Sequence, residues 1–263
     1  MQIAKPELKL FLEQKYLQYN SLDFIATDPI SIPHKFSKKE DIEIAAFIAA
    51  TIAWGQRTTI INNGNKLMEW MDNAPHDFIL NCKTNDLKKF KEFKHRTFNG
   101  TDLIFFLKSL INIYSNYNGL QSAFTLKSLK GMDNTDILKN SLVQFRDLFF
   151  SIDYPHRTQK HISNPTENSA AKRLCMFLRW MVRNDRRGVD FGIWNNVQLN
   201  EQHLMCPLDV HSGNIARKLG LLIRQQNDWK AVEELTSNLR KFDEYDPVKY
   251  DFALFGLGAF EKF

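Results

Sequence analysis

The stretch N-S-A-A-K-R-L-C-M-F-L-R-W-M-V-R-N-D-R-R, Asn168 to Arg187, reads as one helix with a lysine near its start. At about 100° per residue, Lys172, Met176, Arg179, Arg183, Arg186 and Arg187 share one face, and Leu174, Phe177, Leu178 and Met181 lie opposite. The expected helix is buried on one side and cationic on the other. Lys172 to Arg187 carries six basic residues against one acid, a net +5 that equals the formal charge of the whole chain. The excess is therefore local, either a solvated basic face or a surface for an anionic partner.

Along the whole chain the apolar spacing is helical almost everywhere. It predicts helices over Ile42–Ala53, Thr59–Met71, Asp102–Tyr114, Ser141–Phe150, Leu174–Val182, Ile215–Ile223, Trp229–Phe242 and Val248–Phe260. Strand alternation is nowhere sustained. Asp28-Pro29, Asn164-Pro165 and Asp246-Pro247 punctuate the segments, the last as an N-cap with proline at the first helical position. An all-α protein is expected.

The 263 residues suffice for one large domain or two intimate subdomains, and the 43% apolar content is that of a folded chain. No apolar run reaches membrane-spanning length, and the charged start M-Q-I-A-K-P-E-L-K-L is unlike a secretory signal, so a cytoplasmic location is expected, with no membrane partner. Cys82, Cys175 and Cys206 are too few for a four-thiolate iron–sulfur cluster within the chain and too scattered for a disulfide framework or zinc ribbon. His203, Asp209 and His211 lie close in sequence but match no metal-ligand spacing, so no metal or cofactor is expected. Phe90 to Gly100, F-K-E-F-K-H-R-T-F-N-G, interleaves cations with aromatics, which fits a nucleic-acid surface and equally a loop anchored by its phenylalanines. Nucleophile elbows, phosphate loops and dinucleotide fingerprints are missing from the sequence.

Two residues stand out chemically. Lys172 opens a helix among other cations, where the ammonium form is disfavoured, as Schiff-base chemistry requires. In C-P-L-D-V-H-S-G-N-I-A-R-K, Asp209 precedes a helical pattern, which makes it an N-cap, a carboxylate able to balance developing positive charge, or both.

At these residues the chain resembles the helix-hairpin-helix DNA glycosylase superfamily, to which endonuclease III and the archaeal 8-oxoguanine DNA glycosylases belong. N-S-A-A-K stands where that family has a G-x-G-x-K hairpin, and P-L-D-V-H stands at its aspartate block. I-A-A-F-I-A-A-T-I-A-W-G-Q resembles an early helix ending in a polar turn, and D-P-V-K-Y-D-F-A-L-F-G-L-G occupies the place of the last core helix, with Gly256 and Gly258 allowing close helix approach. The blocks run from Ala45 to about Gly258. The R-W-M-V-R and D-P-V-K-Y-D-F-A-L-F-G-L-G blocks also resemble a bacterial family without an assigned activity.

The resemblance implies Lys172 as Schiff-base nucleophile, Asp209 as catalytic carboxylate and Gln56 as a gap-filling residue. It further implies a base pocket drawing on Phe191, Trp194 and His211, although packing roles for the two aromatics stay open. Backbone contacts to DNA would come from Asn168, Ser169, Arg173, Arg179, Arg183 and Arg187, with Arg157, Lys160 and His161 as weaker candidates. The implied fold has two helical subdomains, residues 41–187 and residues 1–40 with 188–263, meeting at a cleft, with Lys172 and Asp209 facing each other across it. The implied partner is double-stranded DNA containing a damaged base, with 8-oxoguanine the leading one, bound by a monomer without an iron–sulfur cluster. Asn168 and Ala170 replace both hairpin glycines, a departure that bears on backbone approach to phosphate. The insert that follows the helix, Gly188 to Met205, is longer than in endonuclease III. A non-catalytic nucleic-acid-binding module on the same fold and a metal-dependent hydrolase on another helical fold are the alternatives.

Overall fold

A computed structural model describes residues 5–194, 198–261 and 263. Among them the chain forms twelve α-helices: α1 Lys5–Tyr19, α2 Leu22–Ala26, α3 Lys39–Thr51, α4 Arg57–Trp70, α5 Pro75–Asn81, α6 Gly100–Asn116, α7 Gly119–Phe124, α8 Asn134–Phe149, α9 Lys172–Val182, α10 Val210–Lys218, α11 Trp229–Arg240 and α12 Tyr250–Gly256. The sheet content of the described residues is one antiparallel hairpin, β1 Lys94–His95 with β2 Phe98–Asn99. The fold is all-α. No described helix is long and apolar enough to cross a membrane.

All eight stretches with helical periodicity are helices, because a 3.6-residue stripe of apolar side chains has a core to bury against. One of them, and the longer stretch from Asn168 to Arg187, end earlier than the pattern suggests. The stretch from Ile215 stops at Lys218, where Gly220 adopts φ +71°. The stretch from Asn168 to Arg187 is helical only over Lys172–Val182. Before it, Asn168 and Ala171 have φ of 60° and 47°; after it, Arg183 turns to extended backbone.

Contacts divide the chain into two compact units, Met1–Phe24 with Ser128–Asn140 and Asn164–Phe263, and Ile25–Lys127 with Ser141–Ser163. This differs from the expected division at residues 40 and 187: α9 groups with the C-terminal segment because its polar face pairs with carboxylates from that segment. In the first unit α1 packs along α12, and Gly256 makes the approach possible, since a Cβ there would stand 2.1 Å from the Tyr19 ring. A Cβ at Gly258 would lie 3.2 Å from Ile215, so it too marks close packing. Trp180, Trp194, Trp229 and Tyr250 fill this core.

The second unit is built on α3, buried from Ile42 through Thr51. Phe47 stacks on Phe106 and meets Phe145 and Phe149. The segment from Phe90 to Gly100 is the anchored form of its two readings: Phe90, Phe93 and Phe98 are all buried.

Candidate functional site

Lys172 is the first residue of α9, and Asp209 is the N-cap of α10. Asp209 caps by accepting the Ser212 N–H at Oδ1, 3.0 Å, while its own N–H donates to Ser212 Oγ, also 3.0 Å. That reciprocal box fixes the carboxylate and leaves Oδ2 turned to Lys172 Nζ at 3.8 Å. Both side chains are about a quarter exposed, 27% and 28%, so the pair is ordered by the fold yet open to solvent. Asn227 steadies the turn from behind, donating to the Asp209 carbonyl at 3.1 Å and receiving Arg217. Lys172 and Asp209 belong to the same compact unit, rather than to the two separate subdomains expected.

The approach to Lys172 is a backbone feature in its own right. A short 3-10 turn, Pro165–Glu167, ends in left-handed Asn168, whose carbonyl accepts the Trp229 N–H at the start of α11. Asn168 thus takes the left-handed conformation that glycine supplies elsewhere, and asparagine is among the few residues that do so readily. Ser169 is half-buried, bridged to Asp228, and its Oγ accepts the Ala171 N–H. Ala171 adopts the same region with a buried methyl group, a costlier choice that sits immediately before the lysine.

The cationic stripe is where structure and expectation part. Arg179 and Arg183 are 4% and 0% exposed. Arg179 pairs with Asp190 and Asp251, and Arg183 with Asp185, Asp190 and Asp246 while also donating to Tyr16. Two guanidiniums therefore hold four carboxylates, and neither is available to a phosphate backbone. Burial alone would lower the Arg183 pKa, but the surrounding carboxylates carry it well above the ordinary value. Asp246 was expected as an N-cap; Pro247 does open a 3-10 turn, but the Asp246 carboxylate makes no cap bond and goes to Arg183 instead. Arg187 is exposed, with its guanidinium on the Asn20 and Leu17 carbonyls. Arg173 is half-buried, and burial pushes its guanidinium down to about 10.

Trp194 is a core residue: it is 1% exposed and meets Phe177 edge-on, so it does not line an open pocket. Phe191 is half-buried and tied by its backbone N–H to the Trp180 carbonyl. Residues 195–197 of the same insert lie outside the described residues. His211 is exposed in the first turn of α10, whereas His203 is buried, its Nδ1 accepting the Asn200 N–H. No described group of His, Cys, Asp or Glu side chains is placed to hold a metal ion. Gln56, in the second unit, is exposed at the N-cap of α4 without a side-chain cap bond. Arg157 and His161 both contact the buried carboxylate of Asp102, at 3.0 and 3.4 Å, and are used by the fold of that unit.

Asp251 was not singled out from sequence. It lies in the first turn of α12, pairs with Arg179, and feels Lys172, Asp209 and Asp190 as charges. Burial pushes its carboxyl up to about 6, with Arg179 and Lys172 opposing and Asp209 and Asp190 adding to the rise. The signal was present: an aspartate among Tyr250, Phe252, Ala253 and Leu254 is a charge inside an apolar run. Cys175 and Cys206 border the same network and are buried thiols, Cys175 pushed up to about 12 and Cys206 well up, both chiefly by burial, so neither is a reactive thiolate.

A folded Asp251 that keeps its proton to about 6 contributes stability that is complete below the unfolded pKa of 3.8 and is lost as pH rises through 6. Wild type should therefore gain about 2 to 3 kcal/mol on Asp251→Asn as pH falls from about 7.5 to about 4. Urea unfolding of both proteins at the two pH values measures this, and a difference that does not change with pH contradicts it.

A protein-family model described as a protein of unknown function (DUF2400) matches residues 28–260. The chain belongs to the DUF2400 family. The match spans α3 to α12 and so includes Lys172, Asp209, Asp251 and the arginine–aspartate network within the DUF2400 region. No curated protein and no solved structure matches the chain.

Proposed function

We propose that this DUF2400 member is a DNA glycosylase with associated lyase activity, which removes a damaged base through a lysine Schiff base. One observation carries the reading: an amine at the start of one helix lies 3.8 Å from a carboxylate that caps another, with both partly open to solvent. The left-handed turn at Asn168 and Ala171, which delivers Lys172, supports it.

The chemistry follows from the pair. The neutral Lys172 amine attacks the anomeric carbon of an extruded nucleotide, and the glycosidic bond breaks with its electrons leaving on the base. Asp209 Oδ2 faces the positive charge that develops on the sugar and receives the proton that the ammonium must first lose, directly after a small approach or through one water. The nitrogen, now bonded to the sugar, gives up a proton; the C1′–O4′ bond then breaks with O4′ taking a proton, which leaves a protonated imine between Nζ and the opened sugar, the intermediate of strand cleavage. The leading substrate is 8-oxoguanine in duplex DNA, and no cofactor enters the scheme.

Borohydride tests it. Wild-type protein incubated with duplexes carrying an abasic site, 8-oxoguanine or other lesions should yield a covalent adduct that survives denaturation, because reduction converts the imine to a secondary amine. Binding to damaged DNA with neither base release nor adduct across the panel would replace this reading by that of a non-catalytic binding module.

A further inference from the structure

The charge that α9 hides has a counterpart elsewhere. Residues 83–100 carry six basic side chains against two acids, a net +4 in eighteen residues. They form a 3-10 helix, Asp86–Glu92, followed by the β1–β2 hairpin. Its underside is apolar: Leu87, Phe90, Phe93 and Phe98 are buried, Phe90 lies edge-on to Trp70, and Phe98 lies edge-on to Phe106. The backbone is pressed onto the start of α6, since a Cβ at Gly100 would stand 2.2 Å from the Lys91 carbonyl oxygen. With the aromatics turned inward, Lys88, Lys89, Lys91, Lys94 and Arg96 are left exposed. Among the described residues none of these five is in an ion pair.

The hairpin is also firmly seated. His95 bridges Asn63 at 2.9 Å and the Trp54 carbonyl at 3.0 Å, and its ring meets Trp54 edge-on. Arg96 occupies the tip with φ +53°, a position where glycine or asparagine is the low-energy choice. Its guanidinium reaches to the Trp54-Gly55-Gln56 turn, where a Cβ on Gly55 would lie 3.2 Å from Arg96 Nη1. The rigid base and the cations without a carboxylate partner together make a fixed positive surface.

We propose that this platform, the 3-10 helix with the β1–β2 hairpin, is the surface that holds the phosphate backbone of duplex DNA. The proposal rests on the DNA partner of the reading above and moves the electrostatic contact from the buried arginines of α9 to the second unit. Charge complementarity selects a polyanion. The inward phenylalanines select a duplex over a single strand, because single-strand sites present aromatic faces for base stacking and here Phe90, Phe93 and Phe98 are buried. Contacts of this kind set affinity without reading sequence.

The experiment measures equilibrium binding of the full chain to an undamaged duplex as a function of salt. Lys88→Glu, Lys91→Glu and Lys94→Glu together should weaken binding at least about tenfold and reduce the slope of log affinity on log salt by about three phosphate contacts. A control with Lys9→Glu, Lys230→Glu and Lys241→Glu, also exposed, carries the same change in net charge and should retain most of the affinity. Equal losses in the two triple variants would mean that net charge alone is acting, and would overturn the proposal. Stronger wild-type binding to a single strand than to the duplex would overturn it too, as would a hairpin variant that loses binding to anionic phosphatidylserine vesicles while keeping its DNA affinity. Borohydride trapping separates the two readings. Trapping with unaltered duplex affinity in the hairpin variant removes the platform alone, and lost affinity without trapping by wild type removes the glycosylase reading alone.

Discussion

Lys172→Gln is expected to abolish the borohydride-trapped adduct, a loss of at least about 10³-fold, while changing affinity for the same DNA little. Glutamine keeps the length and polarity of a side chain that is 27% exposed, its ion-pair partner Asp209 is itself 28% exposed, and the buried Asp251 keeps Arg179, so folding is not at stake. Asp209→Asn separates the two jobs of the aspartate. Asparagine is as good an N-cap as aspartate, so Oδ1 can still receive the Ser212 N–H and α10 keeps its start. The negative charge facing Nζ is lost, and base release should slow by about 10²- to 10³-fold. Asp209→Ala should add to that a stability loss of about 1 kcal/mol from the missing cap. Single-turnover base release, trapping yield and urea midpoints on the three variants measure these effects. An adduct formed by Lys172→Gln at the wild-type rate would remove Lys172 from the chemistry.

Arg183→Ala should destabilise the protein by about 3 to 5 kcal/mol, a large part of the 5 to 15 kcal/mol typical of folded domains. Its guanidinium is fully buried and is the shared partner of Asp185, Asp190 and Asp246. Truncation leaves Asp185 and Asp246 without this cation and Asp190 with Arg179 alone, in a site where burial already raises Asp246. Arg179 cannot serve instead, because it is engaged with Asp190 and Asp251. Urea unfolding measures the loss. Unchanged stability combined with a lower salt slope in DNA binding would restore the solvated stripe that the spacing of these arginines suggests.

The same residues mark how far a linear reading reaches. The positions of α3, α4, α6, α9 and α11 were legible because a helix is a local object, and apolar residues three and four apart declare which face it buries. The cap at Asp209 was legible for a similar reason, since donor and acceptor lie three residues apart. Helix α1 escaped because Leu8, Leu12 and Tyr16, each four residues from the next, form a stripe one residue wide among charged neighbours, and that stripe becomes a core face only when α12 packs against it. The platform at residues 83–100 offered two readings because cations alternating with phenylalanines look the same whether the rings or the cations face out.

By itself, then, the sequence determined the helical class, the main helix positions, the lysine at a helix start and the aspartate at a helix cap, all of which depend on residues within one or two turns of each other. Only the tertiary structure decided what the arginines do. The face of α9 looks solvated when only its own residues are counted, and it is neutralised by Asp190, Asp246 and Asp251, which lie 7 to 72 residues further along the chain from Arg183 and Arg179. Opposite charges attract through space rather than along the chain, so Arg179 and Arg183 are core residues where carboxylates converge on them, while the cations of residues 83–100 stay exposed without a carboxylate partner among the described residues.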